Sequence, residues 1–326
     1  MNPHITFMIN NNHIYILPLS SAGGGGYLMI DAGPNVKNAF EIIEHNLNKN
    51  NIKLKQIKKI ILTHAHSDHA GLANEWSKYD LEIFGGAPDM SAYTSGAAWE
   101  KIRTKKIISQ LGKNYIPEKI LIDWESQKKE QQDAKWVGVP WKKIQPIVGG
   151  HLFLLKNHTP LEIISAPGHT TGSIVAYIKE IGQLYSGDTI LYNKIPSTGM
   201  HFISISSEIR WNGLSHFINS IKQLQRLKIN TISPGHGPQI SNFEKIFFYY
   251  MNHFKNFEIK LLSLLSNRPL NTFEIHDALY KNLSKRYNKE IIQGMIKIIS
   301  FLDKLIEEDK IIESKQKEQN KFVINK

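Results

Sequence analysis

Short runs of apolar residues, separated by Asn-rich and Gly-rich stretches, open the chain and predict β-strands. The first three runs are His4–Ile9, His13–Leu17 and Tyr27–Ile30, and each has a length typical of a strand. Apolar residues then recur at helical spacing over Val36–Asn48, and a continuous apolar run at Ile57–Leu62 predicts a buried strand. The chain therefore begins as a mixture of strands and helices.

The alternation of strands and helices continues through the middle of the chain. Residues 88–145 are predicted to form a mostly helical insert, and the segment around Leu214–Leu224 has the i, i+3, i+4, i+7 spacing of an amphipathic helix. Such alternation predicts an α/β fold in which polar clusters lie at the ends of strands. The further predicted strands are Leu81–Phe84, Leu152–Leu155, Leu161–Ser165, Ser173–Ile178, Gln183–Tyr185 and Asn230–Ser233.

The C-terminal part of the chain has a different pattern, in which helices are followed by two short strands. Helices are predicted at Phe243–Leu265, Thr272–Tyr280 and Lys289–Glu307, and strands at Lys310–Glu313 and Lys321–Ile324. At this length, one large domain with one small domain is the natural division. We therefore expect a domain over residues 1–256 and a second over residues 257–326.

Composition narrows the chemistry that this chain can perform. The 326 residues include no cysteine, which excludes disulfides and thiolate catalysis and requires that any metal be held by nitrogen and oxygen ligands. No apolar run approaches the roughly 18 to 20 residues needed to span a bilayer, and the N-terminus does not resemble a signal peptide. We therefore expect a soluble, cytoplasmic protein with no membrane partner.

The formal net charge of +11 raises the question of an anionic partner such as RNA. Residues 101–143 contain 11 Lys and Arg against 5 Asp and Glu, whereas residues 257–326 contain 13 against 10. We interpret the first excess as a solvated basic face, with RNA binding as the alternative. The near balance in the C-terminal segment predicts no sequence-specific binding of DNA.

The strongest chemical signal is the run of residues 64–69, His-Ala-His-Ser-Asp-His, which directly follows an apolar strand. Four strong metal ligands within six residues are rarely a coincidence. In an extended loop, residues two apart point the same way, so His64 and His66 are expected to bind one ion. Asp68 and His69 are then expected to turn toward another ion.

Three further candidate ligands lie in glycine-containing turns, and each of them follows a predicted strand. These are His169, Asp188 and His236. Glycine allows a tight turn to bring a side chain close to a metal without steric conflict. Together, and in this order, the motifs resemble the metallo-β-lactamase superfamily over about Tyr27–Gln239.

The resemblance implies a four-layer αβ/βα sandwich that carries a dinuclear zinc centre, with iron or manganese as alternatives to zinc. It implies that one ion is bound by His64, His66 and His169 and the other by Asp68, His69 and His236. It further implies that Asp188 bridges the two ions. A hydroxide shared by the ions would then be the nucleophile, and Asp68 would accept its proton.

The branch of the superfamily is less closely defined than the superfamily itself. The C-terminal pattern resembles the winged-helix appendage of lactamase-beta-2-like hydrolases, and the whole also resembles glyoxalase II-like enzymes. The resemblance implies a metal-dependent hydrolase that acts on a small-molecule ester or thioester, with cleavage of single-stranded RNA as the alternative. The C-terminal module is interpreted as a packing or dimerisation module, which makes a homodimer a further expectation.

Substrate-binding residues carry only a weak signal in this sequence. We select Tyr192 because it lies near the expected bridging residue, together with His201. Trp136 belongs to the helical insert, which would form one wall of the substrate pocket. The alternative is that the tryptophans of the insert only pack it onto the sandwich.

Overall fold

The computed structural model describes residues 4–113, 116–132, 136–204, 206–280, 288–316 and 319–325. The chain divides into two compact units, and each unit is assembled from separate segments. Unit 1 comprises residues 1–100, 134–196 and 219–247, and unit 2 comprises residues 101–133, 197–218 and 248–326.

Unit 1 contains a six-stranded sheet whose strands follow one another in chain order. Strands β1 to β3 pair in antiparallel fashion, and β3 to β6 pair in parallel. The carboxyl ends of β3, β4 and β5 therefore meet at one edge of the sheet. The strands are β1 Ile5–Ile9, β2 Asn12–Pro18, β3 Tyr27–Ile30, β4 Ile57–Leu62, β5 Glu82–Gly86 and β6 Ile144–Ile147.

A second sheet of five strands completes the strands of unit 1. Its strands are β7 Leu152–Leu154, β8 Pro160–Ser165, β9 Ile174–Ile178, β10 Gln183–Gly187 and β13 Thr231–Pro234, in the order β13-β10-β9-β8-β7. Strand β9 is antiparallel to both β8 and β10, and β13 is parallel to β10. Strands β8, β10 and β13 therefore run in one direction and end at the same edge.

Side chains alternate between the two faces of the first sheet, and both faces are buried. On β4, Ile60 belongs to a core cluster that includes Ile43 of a helix, whereas Ile61 belongs to a cluster that includes Leu161 of the second sheet. The first sheet is thus covered by helices on one face and by the second sheet on the other. The helices within unit 1 are α1 Ala39–Lys49, α2 Ser67–Ala70, α3 Ala73–Trp76 and α4 Met90–Ser95.

Unit 2 is mostly helical and has its own core of buried side chains. Its elements include α5 Ala97–Lys113, α6 Glu118–Gln132, β11 His201–Phe202, β12 Arg210–Trp211, α7 Gly213–Leu224, α8 Phe243–Asn267, α9 Thr272–Tyr280, α10 Asn288–Glu307, β14 Ile311–Gln316 and β15 Gln319–Ile324, of which α5, α7 and α8 also extend into unit 1. Residues Leu111, Met200 and Met295, which are far apart in sequence, share one buried cluster. The Arg210 guanidinium also donates two hydrogen bonds to the Asp303 carboxylate.

The architecture confirms the predicted α/β sandwich, and the strand and helix bounds agree with the sequence pattern to within a few residues. Helices α4 to α6 lie within the expected insert of residues 88–145. The compact units differ from a linear division between residues 256 and 257, because residues 101–133 and 197–218 group with the C-terminal segment. That linear division stays a prediction about domain organisation. In the described part of the chain, we find no helix with the length and apolar character required to cross a bilayer.

Candidate metal centre

All seven candidate ligands lie in unit 1, at strand ends that the topology brings together. The run of residues 64–69 follows β4 of the first sheet. His169, Asp188 and His236 follow β8, β10 and β13 of the second sheet. Side chains at the carboxyl ends of strands that run in one direction meet at one edge of a sheet. Packing of the two sheets then brings the two sets of side chains to a common centre.

Three histidine rings converge in the first group of candidate ligands. The Nδ1 atom of His66 lies 3.0 Å from Nε2 of His64 and 3.0 Å from Nε2 of His169. The ligand atoms of these three residues all lie within 4.8 Å of one another. This is the trio that the sequence assigned to one ion, and we refer to it as the first trio.

The second group combines two histidines with one carboxylate. The Nε2 atom of His236 lies 3.2 Å from Nε2 of His69 and 3.2 Å from Oδ2 of Asp68. Asp68 and His69 are held in the single turn of α2, rather than in the extended loop expected from the sequence. The helical turn directs the adjacent side chains of Asp68 and His69 toward the same centre, and we refer to these three residues as the second trio.

Asp188 contacts histidines of both trios. Its Oδ2 atom lies 3.7 Å from Nε2 of His169 and 3.5 Å from Nε2 of His236, and its Oδ1 atom lies 3.5 Å from Nε2 of His69. The Oδ1 atom is buried and has no hydrogen-bond partner among the described residues. A buried carboxylate oxygen without a donor is costly unless a cation compensates it.

The donor set fits two metal ions better than it fits a hydrogen-bonded network. A ring nitrogen has one proton or one lone pair, so His66 Nδ1 cannot satisfy both of its close ring neighbours. Ligands around a tetrahedral ion with bonds of about 2.0 to 2.1 Å lie about 3.3 Å apart, and the shortest separations in the two trios are 3.0 Å and 3.2 Å. Five imidazoles and two carboxylates suit zinc, iron or manganese more than calcium.

Glycine makes the close approach of the two sheets possible at this centre. A Cβ atom on Gly235 would lie 2.6 Å from Oδ1 of Asp188 and 2.6 Å from Cε1 of His69. Gly187 has a φ of 49°, and a Cβ there would lie 2.5 Å from Oγ1 of Thr63. Larger side chains at either position would push the ligands of the two sheets apart.

The electrostatics of the two trios differ. Burial, assisted by the neighbouring His69, lowers the pKa of His64 well below its usual value, so this ring is neutral and offers a lone pair. Burial also opposes a charge on His69, but the Asp31 and Asp188 carboxylates outweigh it and raise the pKa of His69 to about 10. Burial opposes a charge on His236 too, yet the Asp68 carboxylate raises its pKa. The Asp31, Asp68 and Asp188 carboxylates thus favour a positive charge at the second trio, either protons on its histidines or a metal ion.

We expect the second trio to take up a metal ion more weakly as the pH falls. At neutral pH the metal-free His69 ring carries a proton, because its pKa is raised to about 10. An ion must displace that proton, so binding releases protons and the apparent affinity drops by up to about tenfold per pH unit for each proton released. Calorimetric titration with zinc in buffers of different ionisation enthalpy measures the release. Uptake of both ions with no proton release at pH 7 would contradict this expectation.

Asp31, which the sequence analysis missed, orients one of the ligands. It directly follows β3, and its Oδ2 atom accepts a hydrogen bond of 2.7 Å from Nδ1 of His69. The backbone N–H and the hydroxyl of Thr63 also donate to this carboxylate, at 2.8 Å and 3.0 Å. With Nδ1 engaged in this way, His69 presents Nε2 to the centre.

Asp89, also missed, ties together two of the loops that carry ligands of the first trio. Its buried carboxylate accepts hydrogen bonds from the Ala65 N–H at 3.2 Å, the Thr170 hydroxyl at 2.5 Å, and the Thr171 hydroxyl and Gly172 N–H at 2.8 Å each. Ala65 lies between His64 and His66, and Thr170 follows His169. Burial raises the pKa of Asp89, although these donors oppose the change.

Replacing Asp89 by alanine is expected to lower the free energy of unfolding by roughly 3 kcal/mol or more, because three buried donors and the half-buried Thr171 hydroxyl lose their acceptor. Asp89→Asn, which keeps an acceptor oxygen, should cost less. Urea denaturation of both variants measures the change. Asp80, whose side chain is exposed, provides the control Asp80→Ala, and a loss for Asp89→Ala no larger than for this control would contradict the role of Asp89.

The three weak candidates for substrate binding lie in different surroundings. Trp136 is only 4% exposed and belongs to the core cluster beneath the first sheet, which favours the packing interpretation. Tyr192 is 46% exposed in unit 1. His201 is buried in unit 2, where its ring meets that of Trp211 edge to face. The substrate-binding role of all three stays a prediction.

Comparison with known proteins places the chain among metal-dependent hydrolases. The sequence model of the metallo-beta-lactamase superfamily matches residues 14–236. The probable metallo-hydrolase YqjP of Bacillus subtilis (strain 168) is 25% identical over 291 residues, which cover 88% of this chain and 87% of that protein.

Two solved structures have the same fold as this chain. The metallo-beta-lactamase family protein TTHA1429 of Thermus thermophilus matches with a TM-score of 0.74 and 19% identity, over 99% of this chain and 97% of that one. A beta-lactamase domain protein of Burkholderia ambifaria matches with a TM-score of 0.77 and 11% identity, over 98% and 90% of the two chains. At these identities the likeness supports the fold alone.

Proposed function

Because this chain belongs to the metallo-beta-lactamase superfamily, we propose that its seven converging side chains form a dinuclear metal centre that hydrolyses an ester or thioester. The observation that carries the proposal is the position of Asp188. Its carboxylate approaches His169 of the first trio and both histidines of the second trio. This is the arrangement needed for one residue to bridge two ions.

In this proposal each trio holds one ion, preferably zinc. The first trio supplies three imidazoles, and the second supplies two imidazoles and the Asp68 carboxylate. Two such ions, when bound, supply an activated water at neutral pH and stabilise negative charge that develops on the substrate. Iron and manganese accept the same nitrogen and oxygen donors.

The chain's own residues would orient the ions and move protons. Asp31 holds the His69 ring through Nδ1 and thereby fixes the direction of Nε2. The Asp68 side chain remains 45% exposed, so its carboxylate can reach both the centre and the solvent. Burial opposes its charge, but the hydrogen bond with His236 and nearby positive charge lower the pKa of Asp68 far below its usual range. This low pKa belongs to the metal-free protein, in which His236 Nε2 bonds to the carboxylate. We propose that Asp68 is an anionic ligand and that, once His236 Nε2 is engaged by the ion instead, Asp68 accepts the proton during turnover.

The preference for an acyl substrate over RNA rests on the exposure of the aromatic residues. Binding of single-stranded RNA uses exposed aromatic rings as stacking platforms beside basic residues. Among the described aromatic residues of the basic segment, residues 101–143, Trp124 is only 6% exposed and Trp136 only 4%. Trp141 is the one exposed aromatic ring among the described residues of this segment, and a single ring is a weaker signal than a continuous platform. An ester or thioester requires only the activated water, a site for the oxyanion and an apolar wall.

The helices after α8 and the hairpin β14–β15 have the element order expected of a winged-helix-like module, and we propose that this module packs the enzyme rather than reads DNA. The α10 residues Ile292 and Met295 are buried in the core of unit 2. Asp303 of α10 is paired with Arg210, and Lys304 of α10 is paired with Glu258. These two charged groups of α10 are thus paired within the unit. We further propose that the substrate is a small molecule and that the protein forms a homodimer.

The activity is tested with a panel of thioesters, esters, lactones and labelled single-stranded RNA, assayed with protein of known metal content. We expect hydrolysis of at least one acyl substrate, and we expect that activity to disappear in His66→Ala. Cleavage of RNA that is lost in His66→Ala, with all acyl substrates intact, would overturn the preference and establish the nuclease alternative. No hydrolysis of any substrate by metal-replete protein would count against the proposed activity.

A further inference from the structure

The turn between β1 and β2 forms hydrogen bonds with two residues of the second trio, His236 and Asp68. Ile9 pairs with Asn12 across the hairpin, so Asn10 and Asn11 form its two-residue loop. Both have positive φ values, 48° and 66°, and asparagine tolerates this left-handed region better than most residues. The two asparagines therefore favour the backbone conformation that this turn adopts.

One side of the turn holds the segment that carries His236. The Nδ1 atom of His236 donates a hydrogen bond of 2.9 Å to the carbonyl oxygen of Asn11. The backbone N–H of His13 donates to the carbonyl of Gly235 at 2.8 Å, and Nε2 of His13 donates to the carbonyl of Gly237 at 2.8 Å. Three consecutive residues are thus fixed, and Nε2 of His236 is left to face the centre.

The other side of the turn holds Asp68. Asn12 is only 2% exposed, and its Nδ2 atom donates a hydrogen bond of 2.7 Å to the backbone carbonyl of Asp68. The carboxylate of the same residue faces His236, with Oδ2 3.2 Å from Nε2. A single turn therefore holds two of the three ligands of the second trio, although they are far apart in sequence.

We propose that the turn of residues 10–13 is a positioning element that sets the distance between Asp68 and His236 and thereby the affinity of the second trio for its metal. This inference rests on the proposed dinuclear centre. The first trio is organised differently, through the Asp89 carboxylate and its bonds to Ala65 and Thr170. A change in the turn should accordingly weaken one metal step and leave the other in place.

Two variants test the proposal through metal affinity, without reference to catalysis. Asn12→Ala removes the donor to the Asp68 carbonyl, and Asn11→Val forces a β-branched side chain into the left-handed region. Stepwise titration of metal-free protein with zinc, and with cobalt(II) followed by its visible absorption, gives the two dissociation constants. We expect one of the two steps, which we would then assign to the second trio, to lose about 10- to 100-fold in affinity. The other step should change by less than about threefold.

Conservative and matched variants separate positioning from general loss of stability. Asn11→Gly keeps both the left-handed conformation and the carbonyl acceptor, so it should retain the affinity that Asn11→Val loses. Asn51 is exposed and also has a positive φ, 57°, so Asn51→Val imposes the same strain away from the centre. The melting temperatures of the wild type and of all four variants are measured alongside the titrations.

The outcomes distinguish this inference from the proposed function. Selective loss of one metal step in Asn12→Ala and Asn11→Val, but not in Asn11→Gly or Asn51→Val, supports the positioning role. Equal weakening of both steps, or unchanged affinities in a wild-type protein that binds two ions, would overturn it while leaving the dinuclear centre intact. A wild-type protein that binds fewer than two ions would overturn the proposed centre and this inference together.

Discussion

Replacing Asp188 by alanine is expected to lower the hydrolytic rate on the order of 10³-fold or more. The metal content should fall at the same time. Its carboxylate lies 3.7 Å or less from histidines of both trios. Without it, both ions lose a shared anionic ligand and the remaining imidazoles supply no compensating charge. Initial rates and elemental analysis of the same preparation measure the two effects together.

Two comparison variants make the Asp188 result specific. Asp188→Asn keeps the shape of the side chain but removes its charge, so it should retain the fold and still lose activity. Asp80→Ala removes an exposed carboxylate and should leave both activity and metal content unchanged. Retained turnover with full metal occupancy in Asp188→Ala would show that Asp188 is not the bridge between the ions.

Replacing His66 by alanine is expected to abolish binding at the first trio and to lower activity by a similar order, about 10³-fold. His66 Nδ1 lies 3.0 Å from the facing nitrogens of both His64 and His169, so it is central to the trio. Two imidazoles alone hold zinc far less tightly than three. We expect one metal ion per chain to be lost, as measured by elemental analysis after removal of free metal.

His45 offers a matched control for His66, because it is an exposed histidine on α1. His45→Ala should bind the same number of ions as the wild type and should hydrolyse substrate at the same rate. If His66→Ala retained two ions per chain and wild-type rates, the assignment of His64, His66 and His169 to one metal ion would be wrong.

The candidate ligands could be selected from the sequence because they are concentrated in short motifs. Four of the seven candidate ligands lie in residues 64–69, and the others lie in turns that contain glycine. The apolar pattern of the preceding residues predicted a strand before each of these motifs. What the sequence did not reveal was that Asp68 and His69 lie in a helical turn, since a segment this short has no periodicity to read.

Asp31 and Asp89 were missed because each is a single acidic residue without a surrounding motif. A topological signal exists, since they follow β3 and β5, the parallel neighbours of the strand that leads to the histidine motif. Carboxylates at adjacent strand ends are natural partners for ligands. Strand order, however, depends on contacts between distant segments, and the sequence pattern alone does not determine it.

Which segments of the chain form unit 2 could not be predicted, for a similar reason. Its core joins Leu111 of α5, Met200 of the segment before β11 and Met295 of α10. Apolar spacing along one helix identifies a buried face but not the segment that covers it. The turn of residues 10–13 shows the same limit, because Asn-rich spacing predicts a hairpin but not its contacts with Asp68 and His236.

Metal content tests the central claim most directly. The protein is purified without chelators and with metal-free buffers, and transition metals are quantified per chain by elemental analysis, with Asp188→Ala and His66→Ala purified in parallel. The account predicts close to two transition-metal ions per wild-type chain and fewer in both variants. A wild-type protein that contains no transition metal, and takes up none when zinc is supplied, would contradict it.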